Sequence, residues 1–256
     1  RLAPYLFSND ELKNAVTKKP FLGFSDTTLN HFMLHKVGLP TFYGQAFLPD
    51  VCELAPEMLP YTKRYFEEFL KTGTIREVRP SELWYTSRTD FSPEALGTEL
   101  PAHKNSGFEL LQGPAQFEGE ILGGCIDSMY EMFSGWRYGD MPEVCRNYGL
   151  FPSMDDWRGK ILLMESCEEY MPPETYKKAL ETLQETGVFD AVSGVLVGKP
   201  MDDMYHAEYK KLLVETISNK ELPILCNINV GHAQPRCILP FGVPAHVDAD
   251  AQVIRF

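Results

Sequence analysis

Apolar and polar residues follow two patterns along the chain: short apolar runs, and longer stretches with apolar residues three or four positions apart. The runs have the length of buried strands and lie at Pro20–Phe24, Leu39–Tyr43, Phe117–Leu122, Lys160–Met164, Ala191–Val197 and Leu222–Ile228. The longer stretches are typical of helices and lie at Asp26–Val37, Cys125–Phe133, Glu174–Thr186 and Met204–Asn219. Because strands alternate with helices, the pattern predicts an α/β fold with a largely parallel sheet.

Two regions interrupt this alternation. The middle of the chain, from about Leu48 to Gly113, has a predicted helix after Pro60 but is otherwise polar, rich in proline and without a clear period. The last twenty or so residues contain short strand-like pieces separated by Pro and Gly, which indicate antiparallel strands. We therefore predict three parts: an N-terminal α/β part at 1–75, a linker or active-site loop at 76–106, and a C-terminal domain at 107–256.

Composition narrows the classes of protein that are possible. A chain of 256 residues can bury a sizeable core, and no apolar run approaches the roughly 18 residues that span a bilayer, so a soluble protein is expected. A net charge of -12 with scattered Lys and Arg residues argues against a nucleic-acid partner. Six cysteines without a C-x-x-C pair indicate reduced thiols and a cytoplasmic location. The chain begins at Arg1 without a methionine, so we expect upstream residues to be missing from this sequence.

Ser25 lies in the segment "FLGFSDTT", where an apolar run meets a helical pattern. A nucleophilic serine is commonly displayed on such a strand-to-helix turn, and Gly23 leaves room for a sharp bend. The usual G-x-S-x-G motif lacks its second glycine here. The alternative interpretation is that Ser25, Asp26 or Thr27 simply caps the helix with its side chain.

Glu165 and His232 follow two other predicted strands, in "KILLMES" and "LPILCNINVGH". Open α/β sheets gather their sites at the carboxyl ends of strands, and Ser25, Glu165 and His232 follow the chain order serine, acid, histidine of one triad class. Glu165 and His232 also have ordinary interpretations: Glu165 as an exposed carboxylate at a strand end, and His232 as a turn histidine. His31 and His35 have the i, i+4 spacing of a zinc helix without the expected glutamate, so no metal site is predicted.

These segments, together with "TFYGQAF", "GEILGGCIDSM", "GVFDAVSGVLVGK" and "NVGHAQPRCILPFG", resemble the LD-carboxypeptidase family of serine peptidases along nearly the whole chain. The likeness is stronger to the branch that confers self-immunity to microcin C. It implies a nucleophile at Ser25, an acid at Glu165, a general base at His232 and an oxyanion donor at the Asp26 backbone N–H. It further implies that 1–75 is the C-terminal part of an α/β nucleophile domain and that 107–256 is a smaller mixed α/β domain carrying the acid and the base. The family is typically a cytoplasmic homodimer that needs no metal or cofactor.

The resemblance implies a serine carboxypeptidase acting on a murein tetrapeptide or on a microcin-like peptidyl or aminoacyl nucleotide. Arg236 is a candidate for binding a substrate carboxylate, or else a surface salt-bridge residue. Trp84 is a candidate stacking surface, or else packs the linker. Relatives carry a Gly-Gly segment before the serine motif that supplies part of the oxyanion hole, and Phe108 stands where many have tryptophan. Without that segment, the alternative is a non-catalytic relative that binds such peptides without cleaving them.

Overall fold

The computed structural model describes residues 3–15 and 19–256. The helices are α1 (Ala3–Leu6), α2 (Glu11–Ala15), α3 (Thr28–Lys36), α4 (Pro60–Thr72), α5 (Ile126–Ser134), α6 (Met141–Tyr148), α7 (Met154–Trp157), α8 (Pro173–Glu185), α9 (Val188–Ala191) and α10 (His206–Thr216). The strands are β1 (Leu22–Gly23), β2 (Thr41–Tyr43), β3 (Glu77–Val78), β4 (Leu83–Tyr85), β5 (Ala102–Lys104), β6 (Glu109–Gln112), β7 (Gln116–Cys125), β8 (Ile161–Glu165), β9 (Gly194–Gly198), β10 (Ile224–Ile228), β11 (Leu239–Phe241), β12 (Pro244–Asp248) and β13 (Val253–Arg255).

The strands form two sheets and a separate hairpin across the described parts of the chain. The smaller sheet has the order β1-β2-β11, with β1 parallel and β11 antiparallel to β2. The larger sheet has the order β3-β13-β12-β7-β8-β9-β10-β6. Its central strands β7 to β10 are parallel, whereas the strands at both edges are antiparallel. The hairpin consists of β4 and β5.

The centre of the larger sheet forms the core and fixes where the site lies. Strands β8, β9 and β10 are buried at every position, which is typical of parallel strands covered on both faces. Parallel strands end at the same edge of a sheet, and Cys125 at the end of β7 is in register with Glu165 at the end of β8. The Thr28 hydroxyl, at the start of α3, accepts a hydrogen bond from the Cys125 N–H at 2.9 Å. This bond joins α3, which connects β1 and β2 of the smaller sheet, to the edge of the larger sheet.

The predicted α/β class is confirmed, as are the six predicted strands, the helix after Pro60 and the antiparallel strands near the C-terminus. The middle region holds more regular structure than its polar sequence indicates, because β3 and β6 join the larger sheet and β4 pairs with β5. The division into three parts stays a prediction. Within residues 3–15 and 19–256, no helix is both long enough and apolar enough to cross a membrane.

Candidate active site

Ser25 lies in a strained turn between β1 and α3. Residues Ser25–Thr27 form one 3₁₀ turn, and Ser25 has φ +62°, a left-handed conformation that costs free energy in a residue other than glycine. A Cβ atom added at Gly23 would lie 2.7 Å from the Thr27 hydroxyl oxygen, so the turn is this tight only because position 23 has no side chain. This is the geometry in which a serine hydroxyl is displayed for nucleophilic attack.

The alternative that one of the small polar residues is the N-cap of α3 is right in position, because Thr27 is the N-cap residue, but its side chain makes no capping hydrogen bond. The hydroxyls of Thr27 and Thr28 instead donate to the backbone carbonyls of Phe24 and Ser25, each at 2.7 Å. Those bonds hold the turn closed, and they leave the Ser25 hydroxyl free to face the histidine.

Glu165, His232 and Ser25 form one chain of hydrogen bonds. The Nδ1 atom of His232 lies 2.7 Å from Glu165 Oε2, and its Nε2 atom lies 3.0 Å from Ser25 Oγ. The backbone N–H of His232 also donates to Glu165 Oε2, at 3.3 Å. The structure therefore brings together the three residues that the sequence placed at strand ends.

Gly231 allows this approach of histidine and glutamate. Its φ is +86°, and an added Cβ would lie 2.4 Å from the carboxyl carbon of Glu165. Any larger residue would therefore push the carboxylate away from the imidazole. The ring of Phe24 packs edge-on against the other side of His232, with ring centroids 5.0 Å apart.

Tyr43, at the end of β2, is part of the same network, and its role was not predicted from the sequence. Its hydroxyl donates to Glu165 Oε1 at 2.6 Å and accepts from the Ser25 N–H at 3.1 Å. The residue is fully buried, and burial together with Glu165 raises the pKa of the phenol well above its usual range. Tyr43 thus links the serine turn to the acid. The segment "TFYGQAF" shows only a strand-end tyrosine, a signal too common to assign a function.

A second carboxylate, Glu168, contacts the imidazole at its other nitrogen. Its Oε2 lies 3.0 Å from His232 Nε2, and 60% of its side chain is exposed, compared with 0% for Glu165. Burial lowers the pKa of His232, but Glu165 and Glu168 outweigh burial and raise that pKa to about 10. The hydrogen bond to His232 lowers the pKa of Glu168 to about 2. Both carboxylates therefore favour the protonated form of the imidazole.

Ser25 opens onto a cleft and a smaller cavity. The cleft has a volume of about 680 Å³ and an apolar wall formed by Phe24, Leu48, Leu54, Phe91 and Met201. The smaller cavity, of about 80 Å³, is polar and includes Arg137, Asp127 and Glu168 in its walls. A substrate bound across Ser25 could therefore place an apolar group in the cleft and a small polar group in the cavity.

Arg236 and Trp84 are both held by other groups of the protein. Arg236 is buried, its guanidinium forms an ion pair with Asp50 at 2.8 Å, and it also donates to the carbonyls of Gly231 and His232. The alternative of a surface salt bridge is thus wrong about location, although the ion pair exists. The ring of Trp84 stacks on His103 with centroids 4.2 Å apart and faces the Lys199 ammonium, as a packing role implies. Their roles in substrate binding stay predictions.

Two groups of side chains in the described residues have donor atoms close enough to share a metal ion. One consists of Cys125, Glu165 and His232, and the other of Cys125, Asp127 and Cys167. In the first, the glutamate and histidine already bond to each other. In the second, Asp127 accepts hydrogen bonds from the Cys125 thiol and the Cys167 N–H. The expectation that the protein needs no metal stays a prediction.

Comparison with known proteins finds a matching family model and similar sequences. Residues 118–247 match the model of the LD-carboxypeptidase C-terminal domain. The microcin C7 self-immunity protein MccF of Escherichia coli is 27% identical over 241 residues, which cover 91% of this chain but only 63% of that protein. The chain thus spans somewhat less than two thirds of that curated relative.

Two solved structures are also similar to this chain. An MccF-like protein from Streptococcus pneumoniae, solved in complex with AMP, has 58% sequence identity and a TM-score of 0.98 over all of this chain and 74% of its own. A structure of MccF in complex with aspartyl sulfamoyl adenosine has 25% identity and a TM-score of 0.73 over 94% of this chain and 69% of its own. The chain therefore belongs to the LD-carboxypeptidase family and, within it, to the MccF-like proteins.

Proposed function

We propose that the protein is a serine peptidase of the carboxypeptidase type, with Ser25 as nucleophile, His232 as general base and Glu165 as the acid that orients it. The observation that carries this proposal is the continuous hydrogen-bond chain from Glu165 through His232 to Ser25, whose hydroxyl opens onto the cleft. Membership of a peptidase family supports it independently.

The reaction follows from these positions. His232 Nε2 takes the proton of Ser25 as Oγ forms a bond to the amide carbonyl carbon, and the oxyanion accepts a hydrogen bond from the Asp26 N–H. One such donor is typically worth about 3 kcal/mol. The imidazolium then gives its proton to the leaving nitrogen as the carbon–nitrogen bond breaks. A water molecule, deprotonated by His232, attacks the acyl carbon, and Ser25 regains its proton.

The substrate that we propose is a peptidyl or aminoacyl nucleotide, with hydrolysis of the amide bond that joins the acyl group to the nucleotide part. The cleft volume of about 680 Å³ lies within the range of small-molecule sites, and its apolar wall suits a flat base. Two relatives were solved with AMP and with aspartyl sulfamoyl adenosine, which share an adenosine group. The other substrate that the family permits is a murein tetrapeptide, which lacks such a group.

Mass spectrometry of the products tests this proposal. The protein is incubated separately with an aminoacyl sulfamoyl adenosine and with a murein tetrapeptide, and the Ser25→Ala variant serves as control. We expect a free amino acid and sulfamoyl adenosine from the first substrate, with no product from the variant. If the protein cleaves only the tetrapeptide and releases its terminal residue, the substrate is the murein peptide and not the nucleotide. Turnover that persists in the variant would contradict the role of Ser25.

A further inference from the structure

Glu168 occupies a position where a carboxylate interferes with the proposed reaction. It lies three residues beyond Glu165, in the segment that follows β8, and its side chain forms part of the wall of both the cleft and the smaller cavity. Its Oε2 and Ser25 Oγ are each 3.0 Å from the same atom, His232 Nε2. The carboxylate and the nucleophile therefore compete for one nitrogen.

That nitrogen cannot serve both partners at once. A general base must present a lone pair to the serine hydroxyl, whereas a carboxylate favours a proton on the nitrogen that it faces. In the described part of the chain, the other charged or titratable groups that face His232 are Glu165, Arg236 and the thiol of Cys125. Glu165 also favours the imidazolium, and Arg236 opposes it too weakly to restore the neutral ring. The base is therefore blocked until Glu168 finds another partner.

The neighbouring carboxylates differ from Glu168 in the cation with which they pair. Asp26 and Glu169 line the same small cavity, and both pair with Arg137, at 3.4 and 3.1 Å. Glu168 instead has the imidazolium of His232 as its partner. A cation supplied by the substrate can take the place of that imidazolium without breaking an ion pair with arginine.

The chemistry of an acyl group suggests which cation this is. An α-ammonium group is attached to the carbon next to the carbonyl that Ser25 attacks, so a bound aminoacyl group brings it close to Ser25 Oγ. Glu168 lies beside that atom, on the wall of the small polar cavity. An N-acylated residue at the same place offers a neutral amide, which cannot replace the imidazolium.

We propose that Glu168 binds the free α-ammonium of the residue whose carbonyl is attacked, and that His232, no longer paired with Glu168, gives its Nε2 proton to solvent water and can then act as base. The preferred substrates are then aminoacyl amides and aminoacyl nucleotides with a free amine, rather than peptides acylated at that nitrogen. This inference rests on the proposed function. It makes Glu168 a group that both selects the substrate and controls the base.

Two substrates that differ only at this nitrogen test the inference: alanyl sulfamoyl adenosine and its N-acetyl derivative. We expect wild-type kcat/KM to be at least about tenfold higher for the free amine, as the loss of one charge-assisted hydrogen bond implies. In Glu168→Gln the ratio should fall towards one. It falls partly because the acetylated substrate gains activity at neutral pH once the imidazole can lose its proton.

Glu169→Gln is the matched control, since it removes the next carboxylate, which pairs with Arg137 instead of His232. It should keep the wild-type ratio. The pH profile separates a binding role from a structural one: for the acetylated substrate, the rising limb of kcat/KM should move to lower pH in Glu168→Gln and stay in place in Glu169→Gln.

Two results would overturn the inference: equal hydrolysis of both substrates by the wild type, or an unchanged ratio in Glu168→Gln. If either result is found and hydrolysis of both substrates disappears in Ser25→Ala, the proposed function stands and only the role of Glu168 is wrong. Hydrolysis that survives in Ser25→Ala, or hydrolysis of neither substrate, overturns the proposed function as well.

Discussion

Two glutamates three residues apart contact the two nitrogens of one imidazole, yet their surroundings are opposite. Glu165 is buried, bonds to His232 Nδ1 at 2.7 Å and accepts a second bond from Tyr43. Glu168 is 60% exposed and bonds to Nε2 at 3.0 Å. A buried carboxylate with two partners is fixed in place, whereas an exposed one can exchange its partner for water or for a ligand.

This difference in burial gives the two glutamates different roles in the proposed reaction: Glu165 orients the imidazole, and Glu168 controls whether it can accept a proton. In the proposed mechanism, Glu165 sets the direction of the ring and stabilises its positive charge during the reaction, because it is buried and fixed in place. In the further proposal, Glu168 holds the same positive charge before the substrate arrives, which prevents His232 from accepting a proton. On both proposals, burial decides which of the two carboxylates assists the base and which blocks it.

Removing the nucleophile has the largest expected effect and tests whether either glutamate serves catalysis. We expect Ser25→Ala to lower kcat by about 10⁶-fold, as single losses from a cooperating triad do. Ser134→Ala, at the exposed end of α5, is the control and should keep full activity. Turnover of Ser25→Ala within tenfold of the wild type would show that both carboxylates have only a structural role in an ion-pair network with His232.

Glutamine variants at the two positions test the comparison itself. Glu165→Gln keeps the size of the side chain but removes the charge that fixes the ring, so kcat should fall by about 10⁴-fold. Glu168→Gln should lose far less, and only with substrates that carry a free amine. Steady-state kinetics with both substrates measures this, and losses of equal size at the two positions would show that burial does not separate their roles.

A variant of Tyr43 tests how the buried carboxylate of Glu165 is held in place. Tyr43→Phe removes the hydrogen bond to Glu165 Oε1 and leaves the ring in place. A bond to a charged group is worth about 1.5–3 kcal/mol, so kcat should fall roughly tenfold to a hundredfold. Tyr61→Phe is the matched control, because the Tyr61 hydroxyl donates to the carbonyl of Arg79. Equal kcat values for the two variants would exclude a contribution of Tyr43 to orientation.

The smallest expected effect is on stability as a function of pH. The folded pKa of His232, raised to about 10, means that its contribution is complete below its ordinary value of 6.5 and is lost as pH rises through 10. The pKa of Glu168, lowered to about 2, means that its contribution is present above 4.5 and is lost as pH falls through 2. The difference in Tm between wild type and Glu168→Gln should therefore be largest near pH 5 to 6 and shrink towards pH 10. A difference that stays constant from pH 5 to 10 would contradict the ion pair.

The elements that depend on hydrophobic periodicity could be predicted from the sequence. Strands β8 and β10 are continuous apolar runs because helices or loops cover both faces, and this placed Glu165 and His232 at the carboxyl edge. The edge strands β3 and β6 were not predicted, since strands of only two and four residues in a polar stretch show no hydrophobic period. Their pairing depends on neighbours that are distant in the chain.

Ser25, Glu165 and His232 could be predicted because each lies at or shortly after the end of a predicted strand and has a side chain that suits a triad. Tyr43 and Glu168 also lie at or near strand ends, but tyrosines and carboxylates are too common there to assign a role. Their part in the network depends on side-chain contacts over sequence separations of 122 and 64 residues. Thr27 takes the predicted N-cap position of α3 but makes no capping hydrogen bond, because its hydroxyl donates to the Phe24 carbonyl in the turn around the left-handed Ser25. Residue propensities do not predict that geometry.

Labelling with a fluorophosphonate tests the central claim most directly, because the reagent reacts with a serine that a neighbouring base activates. Peptide mapping by mass spectrometry should find the adduct on Ser25 in the wild type and none in His232→Ala. Faster labelling of Glu168→Gln at neutral pH would further support the blocking role of that carboxylate. An unlabelled Ser25 in the folded wild-type protein, or an adduct that forms equally well in His232→Ala, would contradict the account.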